Sequence, residues 1–122
     1  MHRVLVVEDD PDIRATLCEA LEDHGYSAIG AGNGVEALEY LRGAAEPPCL
    51  ILLDLMMPVM DGETFRNEQR ADAKLASIPV IVISAYRDVE RHANALAAEF
   101  LQKPVRLETL LETARRHCDS AA

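Results

Sequence analysis

The stretch that decides the fold is RVLVVEDDPDIRATLCEALEDHG, Arg3–Gly25 in a chain of 122 residues. Its first five residues end in four consecutive apolar side chains, which predicts a strand buried on both faces. Asp10 can cap a helix that begins with Pro11, and apolar residues then recur at helical spacing as far as Gly25, which suits a helix end. The sequence therefore starts with a buried strand followed directly by an amphipathic helix.

The same strand–helix unit recurs along the chain. After the first strand, Arg3–Val7, further strands are predicted at Ser27–Ala31, Cys49–Leu53, Ile78–Ile83 and Glu99–Gln102. The second helix is predicted to start at a capping box formed by Asn33 and Glu36. The third and fourth helices are predicted to cover about 63–70 and about 87–97, and the last helix includes Leu107 to Ala114. Strands that are apolar throughout need helices on both faces, which favours a parallel sheet with right-handed crossovers. The expected fold is α/β: a doubly wound, five-stranded parallel sheet, in which strands 1 and 3 flank the ligand crevice if the strand order is 2-1-3-4-5. An all-helical fold is disfavoured, because Gly, Pro and Asn stand at nearly every strand–helix joint.

Composition limits the classes of function. The chain is 49% hydrophobic with a formal net charge of -9, which predicts one domain over 1–122, with a core at 1–118 and a frayed tail at 119–122. The acidic balance gives no basic footprint for direct nucleic-acid binding by this segment. No apolar run approaches the ~18 residues that a membrane span needs. Because Met1 leads straight into a strand, no signal peptide is predicted and a cytoplasmic location is expected.

Three cysteines, Cys18, Cys49 and Cys118, are far apart in the sequence. They form no CxxC pair and no metal-ligand spacing. Cys49 opens an apolar run, so it is expected to be a small buried hydrophobic residue in a reducing environment.

Polar side chains stand at the carboxyl ends of four predicted strands. Glu8 and Asp9 follow the first strand, Asp54 the third, Ser84 the fourth and Lys103 the fifth. Taken singly, an acid can be a helix cap, a serine a loop hydroxyl and a lysine a surface charge. Together they favour one site, since ligands of open parallel sheets bind beyond the carboxyl ends of the strands.

Such a site has a definite chemistry. Carboxylates of Glu8, Asp9 and Asp54 brought close together would repel one another. A divalent cation would relieve the repulsion, and Mg²⁺, with Mn²⁺ as an alternative, suits oxygen ligands and leaves room for a phosphate oxygen. A carboxylate can attack phosphorus and form an acyl phosphate, while Lys103 offsets negative charge.

Four segments carry a family resemblance. They are VLVVEDDPDIR (Val4–Arg14), LILLDLMMPVMDG (Leu50–Gly62), IPVIVISA (Ile78–Ala85) and FLQKP (Phe100–Pro104). In this order and spacing they resemble the receiver domains of two-component response regulators, a chemotaxis-regulator-like superfamily, over nearly the whole chain. The resemblance implies a flavodoxin-like, doubly wound, five-stranded parallel sheet of order 2-1-3-4-5.

The resemblance implies a role for each matching position. Asp54 matches the phosphoacceptor and Lys103 the lysine that pairs with a phosphoryl oxygen. Asp9 matches the direct metal ligand, Glu8 a ligand through water, and Met56 a ligand through its backbone carbonyl.

Further positions match the switch that reads out phosphorylation. Ser84 matches the hydroxyl that moves to the phosphoryl group, and Phe100 the aromatic residue that then turns inward. Tyr86 is expected at the entrance of the site. The bond from Lys103 to Pro104 is cis in the family. The interval between Ser84 and Lys103 is shorter than the family norm by about one helical turn, which predicts a short or reoriented helix over 87–97.

The implied function is signalling. A sensor histidine kinase or a histidine phosphotransfer protein would donate its phosphoryl group to Asp54 with Mg²⁺. A remodelled face would then bind an effector protein or a fused output domain, with homodimerisation on phosphorylation as an option. The chain would catalyse only its own phosphorylation and slow dephosphorylation.

Two other classes of function stay open at this point. One is a Mg²⁺-dependent phosphatase with an aspartyl nucleophile, although such enzymes usually carry it in a DxD motif after the first strand. The other is an interaction module that has the fold and is never phosphorylated.

Overall fold

The structure of the protein is a computed structural model that describes residues 3–54, 62–84 and 99–118. In chain order its elements are β1 (Arg3–Val7), α1 (Pro11–Glu22), β2 (Ser27–Ala31), α2 (Gly34–Gly43), β3 (Leu50–Asp54), α3 (Gly62–Ala71), β4 (Val80–Ser84), β5 (Glu99–Gln102) and α4 (Leu107–Cys118). The strands form one sheet of order β2-β1-β3-β4-β5, and every neighbouring pair is parallel. The predicted α/β fold and strand order are confirmed. The predicted helix over 87–97 and the predicted tail over 119–122 lie outside the described residues.

Side-chain caps start the first two helices where the sequence predicts them. Asp10 Oδ1 accepts hydrogen bonds from the amides of Asp12 and Ile13 at 2.9 and 3.2 Å. Asn33 Oδ1 accepts one from the amide of Glu36 at 2.9 Å. Both caps satisfy amides that have no partner within the helix.

The central strands supply two cores, because alternate side chains point to opposite faces of the sheet. On one face α2 and α3 cover a cluster that includes Leu5, Val7, Ile51, Leu53, Val82, Leu38 and Phe65. On the other face α1 and α4 cover a cluster that includes Val4, Val6, Leu52, Ile81, Leu17, Leu21 and Leu110. Helices on both faces explain why these strands are apolar throughout.

Two strands lie further along the chain than predicted: Leu50–Asp54 instead of Cys49–Leu53, and Val80–Ser84 instead of Ile78–Ile83. The amide of Ile78 donates to the Leu75 carbonyl at 3.1 Å, so Ile78 closes a turn and does not join the sheet. Pro79 has no amide to donate, and β4 begins after it. The shift makes Asp54 and Ser84 the last residues of buried strands.

The prediction for Cys49, a buried free cysteine, is wrong, because Cys49 is half-buried and disulfide-bonded. Cys49 and Cys118 form a disulfide with a Cα–Cα distance of 5.2 Å, and Cys18 is free and half-buried. A helix that returns across a parallel sheet ends at the edge where the strands begin. The end of α4 therefore meets Cys49 just before β3, although 69 residues separate the pair in sequence. Nothing in the local sequence signals this pairing.

No helix within the described ranges is long and apolar enough to cross a membrane.

Gln69 joins the end of α3 to the chain that leads into β4. It is fully buried, and its Nε2 donates to the carbonyls of Leu75 and Ile78 at 2.8 and 3.1 Å. We expect Gln69→Ala to lower the free energy of unfolding by about 3 kcal/mol, because two carbonyls lose their donor in a buried position. Urea unfolding measures the loss. Glu68→Ala, which removes an exposed side chain on the same helix, should change stability little, and an equal loss in both variants would contradict the prediction.

Candidate functional site

The carboxyl ends of four parallel strands bring the predicted site residues to one edge of the sheet. Glu8 and Asp9 directly follow β1, Asp54 and Ser84 end β3 and β4, and Lys103 follows β5. Asp54 pairs in register with Ile83 of β4. The site therefore spans the neighbouring strands β1, β3, β4 and β5.

Three carboxylates lie close together at this edge. Glu8, Asp9 and Asp54 each offer an oxygen, and these atoms lie within 4.8 Å of one another. Glu8 and Asp54 are only 1% and 4% exposed, whereas Asp9 is exposed. An oxygen-only donor set with one ligand open to solvent fits Mg²⁺ or Mn²⁺, which keep several waters when bound to proteins.

Lys103 is the cation of the site, and its nearest partner is Glu8. Its Nζ lies 2.6 Å from Glu8 Oε1 and 3.5 Å from Asp54 Oδ2. Burial by itself lowers the pKa of Lys103, but the hydrogen bond to Glu8 and the charge of Asp54 outweigh it and raise the pKa above its ordinary value. A raised lysine pKa gives stability that is present below the ordinary pKa and is lost as pH rises through the folded-state value. Lys103 is therefore charged at neutral pH.

Glu8 is held by its backbone as well as by Lys103. Its amide donates to the Ala31 carbonyl of β2 at 3.0 Å. Its own carbonyl accepts a hydrogen bond from Arg14 NH1 at 2.8 Å, and its Oε2 accepts one from the Asp10 amide at 3.2 Å. Sequence reasoning missed Arg14. The available signal was a basic residue one turn into the helix that follows the acidic pair.

Ser84 and Lys103 are tied together through the backbone. The Lys103 amide donates to the Ser84 carbonyl at 2.8 Å, and Ser84 is 1% exposed. The peptide bond from Lys103 to Pro104 is cis, as the resemblance implies. Phe100 lies on β5 with 39% of its surface exposed. The other two predicted site residues, Met56 and Tyr86, lie outside the described residues.

A groove of about 480 Å³ opens beside the cluster, between α1 and the chain after β5. Ile13, Thr16 and Leu17 line one wall, and Lys103, Pro104 and Val105 line the other. Lys103 therefore borders both the groove and the carboxylate cluster.

Comparison with known proteins gives the fold described above and the family that the sequence resembles. The sequence model of the response regulator receiver domain matches residues 4–115. Protein PilH of Pseudomonas aeruginosa is 34% identical over 93% of this chain and 94% of its own length. The sensor histidine kinase TmoS of Ectopseudomonas mendocina is 39% identical over 84% of this chain, which spans only 10% of that protein.

A solved structure of a related protein has the same fold. The chemotaxis protein CheY4 of Vibrio cholerae superposes with a TM-score of 0.85 at 32% identity, covering 96% of this chain and 98% of that one. A family match over most of the length, a full-length relative and a shared fold lead to one conclusion: the chain belongs to the response regulator receiver domain family.

Proposed function

We propose that this receiver domain accepts a phosphoryl group on Asp54 from a phosphohistidine of a partner protein, with Mg²⁺ as cofactor. The observation that carries the proposal is the environment of Asp54. Its carboxylate ends a buried strand, lies within 4.8 Å of two further acids and is 3.5 Å from Lys103 Nζ. A nucleophile, a cation site and a fixed ammonium group at one sheet edge are the parts that phosphoryl transfer needs.

The transfer is a single displacement. An oxygen of Asp54 forms a bond to phosphorus as the bond from phosphorus to the imidazole nitrogen breaks, and the imidazole leaves as the free base or takes up a proton from water. Lys103 offsets the negative charge on the phosphoryl oxygens. Bound Mg²⁺ would supply further charge neutralisation, held directly by Asp9 and Asp54 and by the Met56 carbonyl, and through water by Glu8.

The same proposal includes how phosphorylation of Asp54 changes the surface that binds a partner. The Ser84 hydroxyl would turn to the phosphoryl group and Phe100 would turn inward from its exposed position on β5. The surface of β5 and α4, where Phe100 and Leu107 are 39% and 49% exposed, would then change its affinity for an effector or a fused output domain. This is a local charge event that biases two states of a surface. Tyr86, expected at the entrance of the site, would slow the attack of water on the aspartyl phosphate.

The partners and location complete the proposal. The donor would be a sensor histidine kinase or a histidine phosphotransfer protein, seated in the groove beside Lys103 so that its phosphohistidine reaches Asp54. Homodimerisation would follow phosphorylation if the β5–α4 surface is self-complementary. We propose a cytoplasmic location, in which the disulfide-bonded form would be the minor form under ordinary reducing conditions.

Intact-mass measurement after incubation with acetyl phosphate and Mg²⁺ tests the proposal. We expect one phosphoryl group per chain in the wild type and none in Asp54→Asn. Asp23→Asn, which removes an exposed carboxylate at the far end of α1, is the matched control and should be labelled fully. An adduct that persists in Asp54→Asn would refute the assignment of the acceptor. Steady turnover of small phosphoesters would favour a phosphatase, and no adduct at all would favour an interaction module.

A further inference from the structure

We propose that Arg14 is a positioning residue for the metal site, that it acts through the backbone of Glu8, and that Gly30 lacks a side chain so that Arg14 can reach this position. The inference rests on the proposed function, because it concerns how the acidic pair is held for Mg²⁺.

Asp9 depends on the backbone for its position. Its side chain is exposed and makes no hydrogen bond or ion pair with any of the residues that the structure describes. The direction of the chain from Glu8 to Asp9 therefore sets where the Asp9 Cβ stands and which positions its carboxylate can reach.

The backbone of Glu8 is held from both sides. The last register pairs of β1 are Val7 with Ala31 and Val7 with Leu53, so Glu8 stands just beyond the ladder. Its amide still reaches Ala31 at 3.0 Å, and its carbonyl is held at 2.8 Å by Arg14, which reaches back from α1 across the end of β1. Arg14 thus fixes the carbonyl at the link that leads to Asp9.

The side chain of Arg14 lies over two glycines. A Cβ on Gly30 would be 3.0 Å from Arg14 Cδ and 3.2 Å from Cγ, and a Cβ on Gly32 would be 3.4 Å from NH1. Contacts of 3.0 to 3.2 Å between carbons are tight, so the stem of Arg14 would have to yield by a few tenths of an ångström to an alanine at position 30 and by more to a larger side chain.

The backbone of Gly30 does not itself call for glycine. Gly30 lies inside β2, and the positive φ found among the described glycines belongs to Gly25. Glycine inside a strand weakens the strand and often marks a close approach by another group. At this position the approaching group is Arg14.

Charge alone would not favour an arginine here. A guanidinium near the carboxylates repels a second cation, so its Coulomb effect weakens Mg²⁺ binding. The benefit of Arg14 to the metal site therefore comes from holding the Glu8 carbonyl. Variants at Gly30 test this point separately, because they displace Arg14 without removing its charge.

The test is a set of Mg²⁺ titrations by calorimetry at fixed ionic strength, with wild type, Arg14→Ala, Gly30→Ala and Gly30→Val. We expect Arg14→Ala to weaken Mg²⁺ binding by roughly tenfold or more, the usual effect of losing a group that orients metal ligands. Gly30→Ala should bind Mg²⁺ only slightly more weakly than wild type, because Arg14 yields by a few tenths of an ångström, and Gly30→Val should be clearly weaker than Gly30→Ala. In the Arg14→Ala background, Gly30→Val should not weaken Mg²⁺ binding further, because the side chain that it would displace has been removed.

Two controls separate positioning from general damage. Arg42→Ala removes an arginine whose side chain is 52% exposed in surface ion pairs on α2, and it should bind Mg²⁺ as the wild type does. A readout without metal is the amide resonance of Asp9 in NMR spectra, which should move in both Arg14→Ala and Gly30→Val. The melting temperature of Gly30→Val should stay close to that of wild type, since a flexible side chain is all that moves.

Each outcome bears on a different claim. Wild type that does not bind Mg²⁺ refutes the metal part of the proposed function. Wild type that binds while Arg14→Ala and Gly30→Val bind equally well refutes the positioning role alone. A loss caused by Gly30→Val that persists in the Arg14→Ala background also refutes it, because the effect would not pass through Arg14. If Arg14→Ala fails to fold, Gly30→Ala and Gly30→Val decide the question by themselves.

Discussion

Lys103→Ala should lower the free energy of unfolding by about 3 kcal/mol at neutral pH and slow the phosphorylation of Asp54 by roughly a hundredfold. The stability loss arises at Glu8, which is 1% exposed and has its Oε1 2.6 Å from Lys103 Nζ. Removing the ammonium group leaves a buried carboxylate with one amide donor and two further carboxylates nearby. The rate loss arises because Lys103 no longer neutralises charge that develops on the phosphoryl group.

A second substitution separates the charge effect from lost packing. In the double variant Lys103→Ala with Glu8→Gln, the buried carboxylate becomes a neutral amide, so most of the lost stability should return while phosphorylation stays slow. Added Mg²⁺ should also stabilise Lys103→Ala more than wild type, since a bound cation takes over the neutralisation. Urea unfolding with and without Mg²⁺ gives both comparisons.

Lys74→Ala is the matched control for this experiment, because Lys74 is an exposed lysine between α3 and β4. It should leave both stability and labelling rate unchanged. Failure of Glu8→Gln to restore stability in the Lys103→Ala background would show that the Glu8 pair is not the source of the loss.

Reduction of the disulfide between Cys49 and Cys118 should lower the melting temperature by on the order of 10 °C. The bond closes a loop with a sequence separation of 69, and loop-closure entropy for that length corresponds to about 4 kcal/mol in the unfolded chain. For a domain of this size, each kcal/mol moves the melting temperature by several degrees. Calorimetric scans with and without a phosphine reductant measure the difference.

Two controls show that the change in melting temperature comes from the disulfide: a count of free thiols and the variant Cys49→Ala. The oxidised protein should show one reactive thiol after denaturation, from Cys18, and the reduced protein should show three. In Cys49→Ala the reductant should have no effect on the melting temperature. An equal shift with reductant in wild type and in Cys49→Ala would mean that the disulfide does not stabilise the fold.

Oxidation and phosphorylation should be independent of each other. Cys49 precedes β3 and Asp54 ends it, which places them at opposite edges of the sheet, roughly 16 Å apart along the strand. Burial, together with the charge of Glu22, raises the pKa of the Cys18 thiol. Cys18 is therefore a poor competitor for exchange with the bonded pair.

The sequence by itself determined the elements and the edge of the sheet where the site lies. The signals are local in the sequence, each spanning only a few residues. They are the continuous apolar runs of the strands, the caps Asp10 and Asn33, and the apolar spacing of the helices. They were enough to predict a parallel α/β sheet and to place Glu8, Asp54 and Lys103 at one edge, since parallel strands end together, whereas the strand order came from the family resemblance. The predicted start of β4 was two residues early because a turn hydrogen bond of Ile78 competes with strand pairing.

Only the tertiary structure decided which of these residues contact one another. Lys103 is 95 residues from Glu8 in sequence, and its closer contact with Glu8 than with Asp54 follows from the sheet register and from where the chain leaves β5. The disulfide from Cys49 to Cys118 and the reach of Arg14 over Gly30 depend likewise on how helices lie across the sheet. Contacts of this kind depend on distances in three dimensions, which local composition and periodicity do not encode. Asp54 stands at its strand end by sequence alone, but its neighbours are set by the fold.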